Sequence, residues 1–269
     1  MRRLIAMVTL AVVTLAACTT APVTDRRQLA LVSAEALAEQ STKAYDELVA
    51  ESDVVTGTAD ARMVRRVGER IAASAEEFLR NRGLEDEIPL YEWEFALIGD
   101  DESVNAFAMP GGKVAVYTGI LPIAQDEQGL AVIMGHEVAH VVANHGQERV
   151  SQQLLAQLGA ATIAEVSEEE PEQTRRILLA AYGAGAQVGF LLPYSRRHEE
   201  EADTIGLILT ARAGYDPRVA IPFWRRMAEE GGTRPPEFLS THPDPESRIE
   251  NLRDQLPRAL EYYSESGSD

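Results

Sequence analysis

The segment His136-Glu137-Val-Ala-His140 combines metal-ligating and proton-accepting side chains at a helical spacing. Residues four apart on an α-helix are separated by about 40° around its axis. His136 and His140 therefore project side by side and can both ligate a zinc ion. Glu137 lies on the same half of the helix, where it can take a proton from a zinc-bound water that attacks a peptide carbonyl. The motif predicts one Zn²⁺ per chain and peptide-bond hydrolysis.

The residues around this motif favour a buried helix. The segment 126–144 contains no Pro, and its apolar residues cluster opposite the two His: Leu130, Met134, Val138, Val141 and Val142. The alternative is that both His are hydrogen-bonded structural residues of a core. His145, five residues after His140, is predicted to turn away from the ligand face and to lie at the helix C-terminus, with Gly146 as C-cap.

A catalytic zinc usually takes three protein ligands plus water, so a third ligand must come from later in the chain. The densest candidate is the acidic segment 198–203, His-Glu-Glu-Glu-Ala-Asp. Glu199 and Asp203 share a helix face, and like charges at that spacing are destabilising unless a cation or a His lies between them. Periodicity alone leaves Glu200 and Glu201 open as ligands. A solvated acidic first turn of a helix is the alternative.

The His-Glu-x-x-His motif followed by Glu199-x-x-x-Asp203 resembles the HtpX/BepA-like gluzincin peptidases, which include the CaaX prenyl proteases and Oma-type enzymes. Three further segments match: Asn105-Ala106-Phe107-Ala108-x-Pro-Gly-Gly, Pro193-Tyr194-Ser195-Arg196 and Thr241-His242-Pro243-x-Pro-x-x-Arg248. The resemblance covers most of residues 28–255. It implies a zinc endopeptidase with Glu199 as the third ligand and Asp203 as the partner that orients a ligand His.

The resemblance also implies roles for residues outside the two helices. His242 is expected near the zinc as a fourth ligand or inhibitory residue that blocks the water position, and its alternative is a turn residue beside Pro243. Arg248 is expected to hold nearby carboxylates or substrate backbone, and its alternative is a surface charge. An edge strand is expected to pair with the substrate and to read its backbone. The substrate-strand candidates are Asn105, Ala106 and Phe107.

Periodicity and capping residues predict a mainly helical α+β fold: a zincin-like metalloprotease domain with a small antiparallel sheet and an active-site helix. Strands are predicted over 91–98 and 114–118, the second preceded by a Pro-Gly-Gly turn at 110–112. The predicted helices span 33–51, 60–82, the motif region, a hairpin over 147–190, 196–213, and two that start at Asp-Pro pairs, at 216–217 and at 244–245 through Leu256.

The N-terminus has the pattern of a targeting segment. Arg2 and Arg3 precede an apolar stretch over 4–15 that is too short to span a membrane, and Leu-Ala-Ala-Cys18 resembles a bacterial lipobox. We expect a lipoprotein signal peptide over 1–17, lipid attached to Cys18, a tether over 18–32, the zinc metallopeptidase domain over 33–260 and a flexible tail over 261–269. The absence of Asp after Cys18 resembles lipoproteins sent to an outer membrane rather than retained at the inner one, so we expect a periplasm-facing protein at the outer membrane.

The net charge and the family resemblance together limit the classes of partner and substrate that we expect. A formal net charge of −18 argues against nucleic acid as a partner. The resemblance implies unfolded or misassembled envelope proteins as substrates, hence protein quality control, in a short form without the C-terminal tetratricopeptide repeats of larger members. A chaperone-like binding lipoprotein with a self-inhibited zinc site is the alternative. An exopeptidase is disfavoured, because no residue is identified that would hold a substrate terminus.

Overall fold

The computed structural model describes residues 18–230, 236–242 and 245–266. The predicted signal peptide over 1–17 and the predicted cap Asp244 lie outside the described residues. Within the described part of the chain, no helix combines the length and the apolar character needed to span a bilayer.

The described chain is mainly helical with two small sheets, which confirms the predicted fold class. The helices are α1 (Ala34–Glu51), α2 (Ala59–Arg80), α3 (Leu121–Ala124), α4 (Glu127–Val142), α5 (His145–Val166), α6 (Glu172–Ala186), α7 (Leu192–Arg212), α8 (Ala220–Glu230), α9 (Glu237–Thr241) and α10 (Pro245–Ser266). The strands are β1 (Cys18–Thr20), β2 (Arg27–Leu29), β3 (Glu94–Ile98), β4 (Ala106–Met109) and β5 (Lys113–Tyr117).

Helix α4 carries the His-Glu-x-x-His motif through the centre of the core. Its N-terminus is capped by Asp126, whose Oδ1 accepts hydrogen bonds from the backbone N–H of Gln128 at 2.9 Å and of Gly129 at 3.0 Å. Every residue from 129 to 142 is buried, because α2 and α7 pack on α4 and β4 covers a further side. The motif is thereby held in a water-excluded environment.

Helices α4 and α7 approach so closely that their backbones touch. A Cβ at Gly135 would lie 2.9 Å from the carbonyl oxygen of Gly206, and a Cβ at Gly206 would lie 2.8 Å from the backbone nitrogen of His136. Only residues without a side chain allow this contact. The contact places the ligand face of α4 directly against the acidic face of α7.

The larger sheet is mixed, with strand order β3-β5-β4. Strand β5 pairs antiparallel with β4 and parallel with β3, and β1 and β2 form a separate antiparallel pair. The hairpin turn between β4 and β5 uses Gly111 and Gly112 at φ of +86° and +87°, a region open to glycine. Because β5 returns between its two partners, β4 is left at the sheet edge that faces α4.

Residues 18–32, predicted as a tether, contain a short hairpin that packs on the domain in this structure. Ala21 and Val23 are buried at 0% and 3% exposure. Arg82 donates to the carbonyl of Val23 at 2.6 Å, and the hydroxyl of Ser151 accepts from the N–H of Leu31 at 2.9 Å. These partners are more than 50 residues away in the chain, so local patterning cannot reveal them.

Two predicted helix boundaries are wrong. The helical structure is not interrupted before residue 196, because α6 continues through a π-helical turn at Gln187–Leu191 into α7. The last helix does not end at Leu256. It runs to Ser266, whose hydroxyl bonds to the carbonyl of Ala211 at 3.3 Å, so residues 261–266 of the predicted tail are helical.

The glycine contact gives a direct test of the packing. We expect Gly206→Ala to destabilise the protein by about 1–3 kcal/mol, because the added methyl must displace the backbone of α4. Gly183→Ala in α6 is the matched control, since a Cβ there meets nothing within 4 Å; it should be stabilising by about 0.5–1 kcal/mol. Urea unfolding of both variants measures the difference. Equal stability of Gly206→Ala and the parent would contradict the contact.

Candidate metal centre

Four buried side chains bring one donor atom each to a common point. The four residues are His136, His140, Glu199 and His242, and their donor atoms all lie within 4.8 Å of one another. Nε2 of His136 is 3.0 Å from Nε2 of His140 and 3.1 Å from Nδ1 of His242. Nδ1 of His242 is 2.9 Å from Oε2 of Glu199. Ligands about 2.0–2.1 Å from a tetrahedral ion lie about 3.3 Å apart, so this spacing matches a metal site.

Three separate elements supply these donors. Helix α4 carries both motif His, α7 carries Glu199, and His242 directly follows the short α9. The acidic turn of α7 is thereby divided by its helical phase: Glu199 enters the donor group, Glu200 is exposed, and Glu201 faces a different set of partners. The alternatives that periodicity left open at Glu200 and Glu201 are not brought to the donor group.

The electrostatics of the donors suit a cation. Burial holds the pKa of His140 well below its usual range, which keeps that ring neutral with a lone pair to donate. Burial alone would raise the pKa of Glu199, but the rings of His140, His136 and His242 outweigh it and hold that pKa well below its usual value. Oε1 of Glu199 is buried and has no hydrogen-bond partner in the described part of the chain. Such an unsatisfied acceptor beside three imidazoles fits a metal ligand.

Asp203 and Arg248 support His136 from behind. Oδ1 of Asp203 lies 3.1 Å from Nδ1 of His136. Nε of Arg248 donates to both carboxylate oxygens of Asp203, at 3.1 and 2.9 Å, and its guanidinium stacks on the ring of Trp224 at 3.5 Å. Burial raises the pKa of Asp203, but Arg248 and His136 outweigh burial and hold it below its usual value. Arg248 is thus a buried partner and not a surface charge.

Glu137 lies beside the donor group and outside it. Its Oε2 accepts a hydrogen bond from the backbone N–H of Ala108 at 3.2 Å, which ties the carboxylate to β4. Its Oε1 is buried, accepts no hydrogen bond from the described residues, and lies 3.3 Å from Nε2 of His242. Of the predicted substrate-strand residues, Ala106 and Phe107 lie on β4 and Asn105 directly precedes it. Ala106 is buried in the core, Phe107 is half-buried near Tyr117, and the Oδ1 of Asn105 is buried without a partner.

The prediction for His145 is wrong. Helix α4 ends at Val142, Asn144 adopts the left-handed conformation at φ +56°, and the chain turns so that His145 begins α5. Its buried ring then returns to the motif, with its Nδ1 2.9 Å from Nδ1 of His140. Burial lowers the pKa of His145 to about 4, so the ring is neutral. The left-handed residue, which periodicity does not report, decides this placement.

Sequence reasoning missed a polar cluster behind His140. It consists of Arg26, His145, Glu148, His198 and Glu201. The crowding of His198 and Glu201 in the acidic turn of α7 was a signal for part of it, because like charges on one turn need compensation. Nothing local marked Arg26, which lies more than 100 residues from its partners.

Residues 59–256 match the model of Peptidase family M48. The chain belongs to this family. The match confirms the resemblance to HtpX/BepA-like gluzincin peptidases that the sequence motifs carry. In this M48 chain, all four donors and Glu137 lie inside the matched residues.

Curated relatives of this M48 chain come from mitochondria and bacteria. The mitochondrial metalloendopeptidase OMA1 of Saccharomyces cerevisiae is 39% identical over 65% of this chain and 50% of its own length. That of Schizosaccharomyces pombe is 35% identical over 88% of this chain and 66% of its own. The beta-barrel assembly-enhancing protease of Escherichia coli is 31% identical over 66% of this chain and 37% of its own. The chain thus spans about half the length of the curated relatives it matches.

The Arg248–Asp203 pair predicts a large effect on stability. We expect Arg248→Met to lower the free energy of unfolding by about 3–5 kcal/mol, because it leaves the carboxylate of Asp203 buried without its guanidinium. Arg176→Met is the control, since Arg176 forms an exposed ion pair with Glu172 on α6; it should cost about 0.3–0.5 kcal/mol. Urea unfolding measures both. A loss at Arg248 no larger than at Arg176 would refute the buried-pair interpretation.

Proposed function

We propose that this chain is a zinc-dependent endopeptidase that hydrolyses peptide bonds of misfolded or misassembled proteins in the bacterial cell envelope. One observation carries the proposal: a buried carboxylate, Glu137, has a free oxygen beside a four-donor group. Membership of Peptidase family M48 supports the reaction class. Two relatives are named as a metalloendopeptidase and a beta-barrel assembly-enhancing protease. These names support a peptide bond as the bond that is cleaved and the cell envelope as the location.

His136, His140 and Glu199 would hold the zinc. Zinc, when bound, polarises a scissile carbonyl and lowers the pKa of an attacking water. Glu137 takes the proton of that water at Oε1 and returns it to the leaving amine as a general acid. The hydrogen bond from Ala108 to Oε2 holds the carboxylate so that Oε1 is the oxygen available for this work.

Strand β4 is suited to hold an extended substrate. It is an edge strand. The backbone N–H and C=O groups of successive residues point alternately toward the neighbouring strand and toward the open edge. The backbone N–H of Tyr117 on β5 donates to the backbone carbonyl of Asn105, so the backbone groups of Asn105 point toward β5. The backbone groups of Ala106 and Ala108 point away from β5, toward the open edge of the sheet. A peptide added alongside is read through its backbone and needs no particular sequence. Unfolded chains meet that requirement, and Asn105, Ala106 and Phe107 would line their path.

The position of His242 supports an inhibitory role for this residue. Its Nδ1 belongs to the donor group, while its Nε2 lies 3.3 Å from the free oxygen of Glu137. The ring therefore fills the space that a water and a scissile carbonyl need. Catalysis requires His242 to leave, so the proposed enzyme is self-inhibited at rest.

We also propose that the protein is lipid-anchored through Cys18 and faces the periplasm, at the outer membrane. The lipobox pattern and the bacterial relative support this placement. The acidic net charge of −18 makes nucleic acid an unsuitable partner.

The central test removes the proton acceptor. We expect Glu137→Gln to slow the cleavage of unfolded casein by at least about 100-fold, since an amide cannot accept the proton. Bound zinc, measured by atomic absorption, should stay at one per chain, because Glu137 is not among the donors. Parent-like cleavage by this variant would exclude the proposed role.

A second test removes the closing residue. We expect His242→Ala to cleave casein several-fold faster than the parent, because the ring no longer competes with water and substrate. The double variant His242→Ala/Glu137→Gln should be inactive, which ties the added cleavage to this site. Slower cleavage together with weaker zinc binding would instead identify His242 as a required ligand.

The seating of His242 also favours a second candidate function, a chaperone-like lipoprotein whose zinc site stays closed. The same casein experiment separates the two. If the parent and Glu137→Gln both fail to cleave and both suppress aggregation of the unfolded protein, the binding function replaces the protease.

A further inference from the structure

We propose that Arg26, on the N-terminal hairpin, is a positioning residue for the metal site. It acts through Glu201 and His145 on the ligand His140. The proposal rests on the proposed function, because His140 is a zinc ligand there. Arg26 lies outside the residues that match the family model, which begins at residue 59.

The first step is the contact between the two rings of His140 and His145. Their Nδ1 atoms lie 2.9 Å apart, so one must donate to the other. Nε2 of His140 faces the other donors and must present its lone pair to a metal. The proton of His140 is therefore on Nδ1 and is donated to Nδ1 of His145. This bond sets both the tautomer and the orientation of the ligand ring.

The second step passes from His145 to Glu201. Because Nδ1 of His145 accepts, its proton lies on Nε2 and is donated to Oε2 of Glu201 at 3.0 Å. The ring is also stacked on His198, with centroids 4.3 Å apart and planes 16° apart. His198 in turn contacts Oε2 of Glu148 through its Nε2 at 2.9 Å. Two imidazole–carboxylate pairs thus stand side by side behind the metal site.

Arg26 joins the two carboxylates. Its Nε donates to Oε1 of Glu201 at 2.8 Å, and its Nη2 donates to Oε2 of Glu148 at 2.6 Å. Burial raises the pKa of each carboxyl, but the His and Arg26 partners outweigh it and bring both to about 2. A planar guanidinium can bond two carboxylates at once, whereas an ammonium acts as a point charge. Without Arg26, the carboxylate that orients His145 would lose its compensating cation.

The hairpin that carries Arg26 is held by contacts of its own. The backbone carbonyl of Val23 accepts a hydrogen bond from Arg82, and the backbone N–H of Leu31 donates to the hydroxyl of Ser151 on α5. Gln147, also on α5, donates to the carbonyl of Val32 at 2.8 Å. Arg26 is therefore delivered to the cluster by a docked segment that starts at Cys18, the predicted lipidation site. The N-terminal hairpin thus carries one of the residues that support the metal site.

The test measures zinc affinity of the full chain by competition with a chromogenic chelator. We expect Arg26→Met to weaken zinc binding by about 10-fold, the lower end of the range for partners of ligand His. Arg27→Met is the matched control, because Arg27 is the next residue in the chain and is exposed at the start of β2. It should leave the dissociation constant within about twofold of the parent, which is the resolution needed to see a partner effect.

A double-mutant cycle tests the route through His145. In a His145→Ala background the bond to His140 is already absent, so Arg26→Met should add no further loss of zinc affinity. Arg26→Lys serves if Arg26→Met does not fold. It keeps a positive charge beside both carboxylates but loses the planar fork, so its affinity should fall between those of the parent and of Arg26→Met.

The outcomes separate the two proposals. If the parent chain binds no zinc, the proposed function fails, and the role of Arg26 falls with it. If the parent binds zinc and Arg26→Met lowers only the melting temperature, with the dissociation constant unchanged, the hairpin is merely structural and this inference alone is overturned. An equal loss with and without His145 would also overturn it, because Arg26 would then act by another route.

Discussion

The backbone contact between Gly135 on α4 and Gly206 on α7 decides where the donor atoms of this protein lie. Side chains of any size at these positions would separate the helices and with them His136 from Glu199. Donors of a metal site must be placed to within a few tenths of an ångström. The two glycines allow direct contact between the helix backbones. Because a backbone has no side-chain rotamers, the distance between the two helices is fixed at this contact.

Charged and polar groups packed at such a contact must be compensated, because burial removes their hydration. The structure provides that compensation on both sides of the donor group. Behind His136 stand Asp203 and Arg248, and the guanidinium is stacked on an indole. Behind His140 stand His145 and Glu201, and a second guanidinium comes from the N-terminal hairpin. A carboxylate paired with an arginine thus supports each motif ring, directly at His136 and through His145 at His140, although the two arginines lie at opposite ends of the chain.

The front of the site is arranged differently. Glu137 has one oxygen tied to the edge strand and one without a hydrogen bond, and His242 stands between that oxygen and the other donors. A buried acceptor left open is a cost to stability, and it is tolerated most often where it is needed for chemistry. The supports behind the motif rings are buried and linked by hydrogen bonds between side chains. The residue in front, His242, directly follows the short helix α9, and under the proposed function it is the residue that has to move.

The sequence by itself determined the local chemistry: a His-Glu-His set on one helical face, the Asp126-capped helix that bears it, and the Glu199–Asp203 spacing on a later helix. These depend on helical periodicity and capping, which act over a few residues. It missed the docked hairpin, the return of His145 and the helical tail to Ser266, and it left Glu200 and Glu201 open. Only the tertiary structure decided those, because they depend on partners far away in the chain and on one left-handed residue, Asn144. Contacts between distant segments leave no periodic trace in either segment alone.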